Sequence, residues 1–221
     1  MPNCAEDNMR LAKFMAACGL ASRRRCEEIV RQEGVRVNGK EIRDPATAVK
    51  PEIDRVVYRG ELLSPDPPVY LALNKPPGYT CSSSDRFASH IVKELFPPEF
   101  PRLFTVGRLD RDSEGLILCT NDGDFAQTVA HPRNEVPKRY HVRVTGRVAR
   151  KQIHELEGGI SNRGEKLRAL SVRLLRRRGR DAVLEFVIAE GRKREIRRMC
   201  EHCHWTVSNL RRIQIGPVKL G

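Results

Sequence analysis

Residues 106–123, VGRLDRDSEGLILCTNDG, decide the fold of the larger part of the chain. The run from Gly115 to Cys119 is apolar, short and bounded by turn residues, which predicts a buried strand. Asp110 stands where the preceding turn meets that strand. A carboxylate so close to a core needs a cationic partner, or it takes up a proton instead. The charged residues that crowd this turn are Arg108, Asp110, Arg111, Asp112 and Glu114.

Around this stretch the sequence predicts many short strands and fewer helices. The strand candidates are 69–75, 103–106, 115–120, 139–145, 168–175, 182–188 and 205–215. The helix candidates are 89–95, 124–130, 149–157 and 193–202. Most strands are joined by turns and not by regular βαβ crossovers. This pattern favours an α+β fold with a mainly antiparallel, mixed sheet.

The N-terminal part predicts a small helix–helix–strand module over residues 9–63. Leu11, Phe14 and Met15 share one helical face, and Ser22 is typical of the N-cap of a second helix. The pair Asn38–Gly39 suits a type I′ hairpin turn. The proline-rich stretch 64–68 predicts a linker, because proline cannot continue a helix or a central strand. A second domain is then expected over 69–221.

The charge of the chain indicates a polyanionic partner. Its 221 residues carry a formal net charge of +13. Residues 136–221 hold 22 Lys and Arg against 8 Asp and Glu, so most of the excess lies there. Arg23, Arg24 and Arg25 also stand together at a predicted helix start, where backbone amides favour phosphate. A solvated basic face is the alternative interpretation.

No stretch reaches the eighteen or so apolar residues that a membrane helix needs. The N-terminus lacks the apolar segment of a signal peptide. Seven scattered cysteines, an odd number, fit a reducing compartment better than a disulfide framework. We therefore expect a cytoplasmic protein without a membrane partner.

Two sources of positive charge are available to Asp110. Arg108 and Arg111 are close in sequence, and Arg197 lies beside the inward-facing Ile196 on the predicted helix 193–202. An arginine there could form a bidentate ion pair with a sunken Asp. A turn-forming Asp110 and a solvated Arg197 are the alternatives.

Other polar residues allow more than one interpretation. Asp112 and Glu114 could pair with Asp110 for glycoside-type chemistry, but they are better explained as support for the turn. Tyr140 is either a half-buried core residue or a ring that lies against a splayed-out base. Cys200, His202, Cys203 and His204 form a single knuckle on a predicted helix, which makes a zinc-dependent nucleic-acid binder a weaker alternative. The chain has no GxSxG, GxxxxGK[ST] or GxGxxG, so we expect no nucleotide cofactor and no metal.

Several motifs together resemble the RsuA-like family of ribosomal RNA pseudouridine synthases, which includes the RluB, RluE and RluF groups. They are NKPPGY at 74–79, VGRLDRDSEGLILCTNDGDFAQTVAHP at 106–132, KRYHVRVTG at 138–146 and EGRKREIRRMCE at 190–201. The resemblance runs from about residue 9 to 220. The N-terminal module resembles the alpha-L RNA-binding module of a small-subunit ribosomal protein. The family usually has a glycine shortly after the last helix, where this chain has His204.

The resemblance implies roles for individual residues. Asp110 matches the catalytic carboxylate, Arg197 the arginine that pairs with it, and Tyr140 the ring against the target base. The expected substrate-binding residues are Arg108, which fills the space that the base leaves, Leu210 at the floor of the site, Lys75 and Lys138. The expected RNA-binding residues are Lys13, Arg23, Arg24 and Arg25.

The resemblance also implies an activity. The expected reaction isomerises one uridine of ribosomal RNA to pseudouridine, on a flipped-out base and without a cofactor. The expected partner is ribosomal RNA or a ribosomal subunit assembly intermediate, and the protein is expected to be a monomer. A non-catalytic RNA-binding or assembly factor on the same fold is the alternative.

Overall fold

The computed structural model describes residues 8–82 and 88–221. They form two compact units. One holds the described residues up to Val69 together with Pro98–Arg102, and the other holds the described residues of Tyr70–Pro97 and Leu103–Gly221. Within the described ranges, no helix has the length and apolar content to cross a membrane.

The first unit contains two short helices and two small sheets. Its elements are β1 (Met9–Arg10), α1 (Leu11–Ala17), α2 (Arg23–Glu33), β2 (Val35–Val37), β3 (Lys40–Ile42), β4 (Ala48–Val49), β5 (Val56–Tyr58) and β6 (Glu61–Leu62). The larger sheet has the order β3-β2-β5-β6, and β1 pairs with β4. As expected, the buried face of α1 packs on α2 and the sheet, through residues that include Leu11, Phe14 and Met15.

Local sequence explains how these elements begin and turn. The Ser22 hydroxyl accepts a hydrogen bond from the Arg25 amide at 3.3 Å, which caps α2. Asn38 and Gly39 both have positive φ, at 51° and 82°, as a type I′ turn between β2 and β3 requires. Both predictions are confirmed.

The second unit is built on one large sheet. The strands of this unit are β7 (Tyr70–Lys75), β8 (Phe104–Thr105), β9 (Glu114–Thr120), β10 (Lys138–Thr145), β11 (Ile160–Asn162), β12 (Glu165–Leu167), β13 (Ser171–Arg178), β14 (Asp181–Ile188), β15 (Thr206–Ile215) and β16 (Val218–Lys219). Its helices are α3 (Gly123–Ala130), α4 (Arg150–Gly158) and α5 (Glu195–His202). The predicted helix 89–95 is only a 3-10 turn over Val92–Leu95.

The large sheet has the order β13-β14-β10-β15-β9-β7, with β8 beside β9 and β16 beside β15. The pairings of this sheet are antiparallel except that of β9 with β15, which is parallel. The α+β fold with a mainly antiparallel, mixed sheet is therefore confirmed. The hairpin β11–β12 is separate.

Each face of the sheet is covered by different helices. The main core lies on the face that carries Val142, Leu184 and Phe186, and it includes Leu156 of α4 and Met199 of α5. A smaller core on β9 and β15 packs against α3. Apolar residues on both faces explain why β9 reads as a continuous buried run.

The parallel contact between β9 and β15 depends on Gly115. Its φ is +100°, and a Cβ there would lie 2.2 Å from the carbonyl oxygen of Arg212. Only glycine allows so close an approach. This contact brings the end of β15 beside the turn that carries Asp110. After α5, His204 has a φ of 57°, so it adopts the left-handed conformation that glycine usually provides.

Candidate active site

A cavity of about 620 Å³ opens in the second unit beside the start of β9. Its wall comes from four parts of the fold: residues 106–110 and Ser113 before β9, residues at and just after the end of α3, residues 188–196 from the end of β14 to the start of α5, and side chains of β10 and β15. Asp110, Tyr140 and Leu210 line this same cavity although they are far apart in sequence.

Asp110 lies at the turn and reaches the cavity without being sealed inside it. Its side chain is 33% exposed, and its Oδ2 lies 3.9 Å from Nη1 of Arg194. Its carbonyl oxygen accepts a hydrogen bond from the Ser113 amide at 3.0 Å, which closes the turn. Arg194 has a φ of 53° and precedes α5, so the cation nearest to Asp110 sits on a strained residue at the helix start.

Tyr140 and Arg212 stand opposite each other on the paired strands β10 and β15. Tyr140 is buried, and its hydroxyl accepts a hydrogen bond from Nη1 of Arg212 at 3.3 Å. The guanidinium carbon lies 5.9 Å from the centre of the tyrosine ring, within the range of a cation–π contact. The ring is therefore held in place at the cavity wall by a buried cation.

The expected substrate-binding residues divide into two groups. Arg108, Lys138 and Leu210 line the cavity with Asp110. Nζ of Lys138 donates to the carbonyl oxygen of Ala189 at 3.0 Å. Burial, and then the nearby charge of Arg212, lower the pKa of Lys138, because both disfavour its charged form.

Lys75 belongs to the second group, since the structure places it behind the turn and not on the described cavity wall. It is completely buried, and its Nζ donates to the carbonyl oxygens of Pro76 and Tyr79, each at 2.9 Å. A third acceptor, the carbonyl oxygen of Arg111, lies at 3.5 Å. Burial lowers the pKa of Lys75. Its ammonium is already bonded to the backbone that supports the turn, and its expected role in substrate binding stays a prediction.

The expected ion pair between Arg197 and Asp110 is wrong, because Arg197 pairs with Asp112 instead. Nη2 of Arg197 lies 3.0 Å from Oδ2 of Asp112. It also approaches the Asp112 carbonyl oxygen and the Ser113 hydroxyl, at 3.3 and 3.4 Å. The guanidinium thus holds the far side of the turn. Asp112 supports the turn, as the sequence indicated.

The four side chains of the zinc hypothesis are not brought together. Cys200 and Cys203 are buried in the core, whereas His202 bonds to Glu155 at 2.8 Å and His204 is exposed. Burial raises the pKa of Cys200 to about 12, which keeps the thiol protonated. In the part of the chain that the structure describes, no group of three or more His, Cys, Asp or Glu is placed to hold a metal ion.

In the first unit, the predicted RNA-binding residues lie on the two helices. Arg23, Arg24 and Arg25 are exposed in the first turn of α2, and Lys13 is half-buried on α1. Arg25 pairs with Glu28 at 2.8 Å and Arg23 approaches Glu27 at 3.8 Å. These ion pairs are exposed, so they are weak and can yield to a phosphate.

Comparison with known proteins agrees with this geometry. The profile of the RNA pseudouridylate synthase family matches residues 69–202, and that of the S4 domain matches residues 9–52. The chain belongs to the RNA pseudouridylate synthase family. It is therefore an isomerase with an N-terminal S4 domain, and the resemblance to the RsuA-like enzymes is confirmed.

Two relatives and one solved structure show how far this similarity extends. An RNA pseudouridine synthase of Aquifex aeolicus (strain VF5) is 36% identical over 96% of this chain and 86% of its own length. Ribosomal large subunit pseudouridine synthase B of Bacillus subtilis (strain 168) is 34% identical over 96% of this chain and 87% of its own length. A crystal structure of a pseudouridylate synthase superposes with a TM-score of 0.67 at 29% identity, covering 96% of this chain and 91% of that one.

In this pseudouridine synthase, sequence reasoning missed two cations at the cavity. They are Arg194, just before α5, and Arg212 on β15. The alternation of β15 could have revealed Arg212, since a residue two positions after the buried Leu210 shares its face. A charged residue on the buried face of a strand is unusual enough to indicate a site.

Proposed function

We propose that this enzyme converts one uridine of ribosomal RNA to pseudouridine, with Asp110 as the catalytic carboxylate acting on a flipped-out base. The observation that carries the proposal is the meeting of Asp110 and Tyr140 on the wall of one cavity of about 620 Å³. That volume accommodates an extruded nucleoside, with room for the base to turn. The relative from Bacillus subtilis is named for the large ribosomal subunit, which supports ribosomal RNA as the substrate.

The reaction makes few chemical demands. The N1–C1′ bond breaks, a C5–C1′ bond forms, C5 loses a proton and N1 gains one. Asp110 can serve by attack at C1′, by attack at C6 or by removal of the 2′ proton. Each route needs an ionised carboxylate, and Arg194 is the cation that stands nearest to it. Tyr140 supplies a ring on which the base can lie.

The two units divide the work of binding. The exposed arginines at the start of α2 hold RNA phosphates, and Lys138, Arg192 and Arg194 attract the backbone around the target nucleotide at the cavity. The partner is ribosomal RNA or an assembly intermediate of a subunit, the enzyme acts as a monomer, and it works in the cytoplasm. In sequence, the proline-rich stretch 64–68 links the S4 domain to the catalytic domain.

Mapping pseudouridine in ribosomal RNA tests the proposal. A strain that lacks this gene is expected to lose one modification, and the purified enzyme is expected to restore it on RNA from that strain. Asp110→Asn should abolish the conversion while RNA affinity changes little. Asp181→Asn is the matched control, because Asp181 lies far from the cavity. It accepts a hydrogen bond from Thr145, which is five residues, or about 16 Å, along β10 from Tyr140. Full activity of Asp110→Asn would refute the role of Asp110.

A further inference from the structure

Arg212 is a buried cation whose charge the described structure does not balance. Only 4% of the residue is exposed. Its Nε donates to the carbonyl oxygen of Leu116 at 2.7 Å, and its Nη1 approaches the carbonyl oxygen of Arg108 and the hydroxyl of Tyr140. All three acceptors are neutral. Among the described residues, no carboxylate lies within ion-pair distance of this guanidinium, which is unusual for so buried a charge.

One nitrogen of Arg212 has no partner at all. Nη2 is buried and is one of three buried side-chain nitrogens or oxygens of the described residues without a hydrogen bond. Leaving such a donor unpaired is unfavourable, and more so for a charged group. Because Arg212 also lines the cavity, a ligand that enters there is placed to satisfy both the donor and the charge.

We infer that Arg212 binds a carbonyl oxygen of the extruded uracil and stabilises the negative charge that the base acquires when it detaches. This inference rests on the proposed function. It assigns to Arg212 a catalytic role of its own, separate from that of Asp110, in the pocket for the base.

The chemistry of the reaction requires such a group by every route. If the base leaves C1′, by attack of Asp110 or by loss of the 2′ proton, the N1–C1′ electron pair stays on the uracil and spreads to O2 and O4. If Asp110 adds to C6, the charge gathers on O4. When C5 bonds to C1′, that electron pair forms the new bond. The ester of Asp110 at C1′ or C6 breaks and returns its pair to the carboxylate, or C2′ regains its proton. The C5 proton leaves and N1 gains one. Arg212 donates a hydrogen bond throughout and transfers no proton.

The burial of Arg212 in the cavity favours the base over a phosphate as its partner. Three other cations of the cavity, Arg108, Lys193 and Arg194, are exposed and suit a phosphate that keeps part of its water, whereas Lys138 and Arg192 are half-buried. Arg212 lies beneath them against Tyr140, the ring expected to face the base. Its bonds to β9, to the turn before it and to β10 fix the guanidinium in advance, so little reorganisation accompanies the change in charge.

The test compares two neighbouring arginines. Arg211→Gln is the matched control for Arg212→Gln, because Arg211 pairs opposite His141 and points to the other face of the sheet. Single-turnover conversion is measured on an oligoribonucleotide that spans the uridine found by mapping, and affinity is measured by filter binding. We expect Arg212→Gln to slow conversion of bound RNA by about 100-fold or more, which is the effect of losing one oxyanion donor. Its dissociation constant for RNA should stay within about threefold of the wild-type value. Arg211→Gln should stay within about threefold in both. A wild-type rate in Arg212→Gln would overturn the inference.

A second measurement does not depend on how the variant folds. Oligoribonucleotides with 2-thiouridine or 4-thiouridine at the target replace one carbonyl oxygen by sulfur, a weaker acceptor. The wild-type enzyme should slow on one of the two, and that same change should have little further effect in Arg212→Lys. Equal wild-type rates on uridine and on both thiouridines would refute the contact. A wild-type enzyme that forms no pseudouridine on any of them would refute the proposed function itself, and this inference with it.

Discussion

Nη2 of Arg197 lies 3.0 Å from Oδ2 of Asp112, and the same nitrogen approaches the Ser113 hydroxyl at 3.4 Å. Arg197 on α5 thus binds the turn at Asp112 and Ser113, two and three residues after Asp110. Because the Ser113 amide donates to the Asp110 carbonyl oxygen, this contact also restrains the backbone of Asp110, the proposed catalytic residue. We therefore propose that Arg197 positions Asp110 through this turn, since its ion pair is with Asp112.

Arg197→Met is expected to lower the single-turnover rate by about 10-fold or more and to destabilise the protein by about 1–3 kcal/mol, since the turn loses its charged donor. Asp112→Asn should have a smaller effect, because the Asp112 side chain is 54% exposed. Activity assays together with urea unfolding measure both effects.

Arg198→Met is the matched control for that prediction. Arg198 is on the same helix and its side chain is also 13% exposed, but its bonds go to Asn162 and Glu165 of the β11–β12 hairpin. The Arg198→Met protein should be less stable than the wild type, but its single-turnover rate should fall less than that of Arg197→Met. Equal rates for the two variants at equal stability would contradict the positioning role.

Lys75→Met tests whether Lys75 supports the turn, which its hydrogen bonds favour, or binds substrate, as the sequence predicts. Methionine fills the same space but leaves the carbonyl oxygens of Pro76 and Tyr79 without their donor. We expect a loss of about 1–3 kcal/mol in the free energy of unfolding, measured with urea. Lys138→Met on the cavity wall should instead reduce RNA affinity more than stability. Unchanged stability of Lys75→Met with weakened RNA binding would instead support the expected role of Lys75 in substrate binding.

Sequence patterns predicted most of the fold because each element carries a local cause. Ser22 caps α2, Asn38–Gly39 makes a hairpin turn, and the apolar run of β9 can only be buried. Asp110 could be found in the same way, since it stands at the one turn where many charges meet a buried strand. The predicted helix 89–95 was too long. Only Val92–Leu95 form a turn, and it is a 3-10 turn, because so short a helical pattern does not distinguish a 3-10 turn from an α-helix.

The partners of the site residues could not be predicted, because they depend on tertiary distances of a few ångströms. Asp110 and Asp112 are two positions apart, and only the approach of α5 decides which of them meets Arg197. Lys75 ends a predicted strand before two prolines, and nothing in that pattern indicates that its side chain is completely buried. Arg212 enters the cavity through the parallel contact with β9 at Gly115, a pairing between residues about 100 positions apart.

Glu185 should make stability depend on pH. It is a nearly buried carboxylate on β14 whose burial opposes ionisation, but hydrogen bonds from Arg173 at 2.6 Å and Arg139 at 2.7 Å outweigh this and lower its pKa. His141 lies 3.8 Å away. A carboxylate with a lowered folded-state pKa stabilises the protein above its unfolded-state value and loses that contribution as the pH falls towards the folded-state value.

Glu185→Gln is therefore expected to cost about 1–2 kcal/mol at pH 7. The difference from the wild type should shrink as the pH falls below 4.5, the ordinary pKa of a glutamate. Urea unfolding of both proteins at several pH values measures it. A difference that stays constant down to pH 3 would mean that packing, and not charge, explains the loss.

The arginines at the start of α2 should set the salt dependence of RNA binding. Arg24 is exposed, and the ion pairs of Arg23 and Arg25 lie in solvent, where they are weak enough to exchange for phosphates. Changing all three to alanine is expected to weaken binding and to reduce the slope of log affinity against log salt by up to about 0.9 for each lost contact. Alanine at Arg36, Lys40 and Arg55, three exposed cations elsewhere in the same unit, removes the same net charge and should leave the slope nearly unchanged. Equal slopes for the two triple variants would show that net charge alone attracts the RNA, and the S4 domain would then contribute no localised phosphate contact through α2.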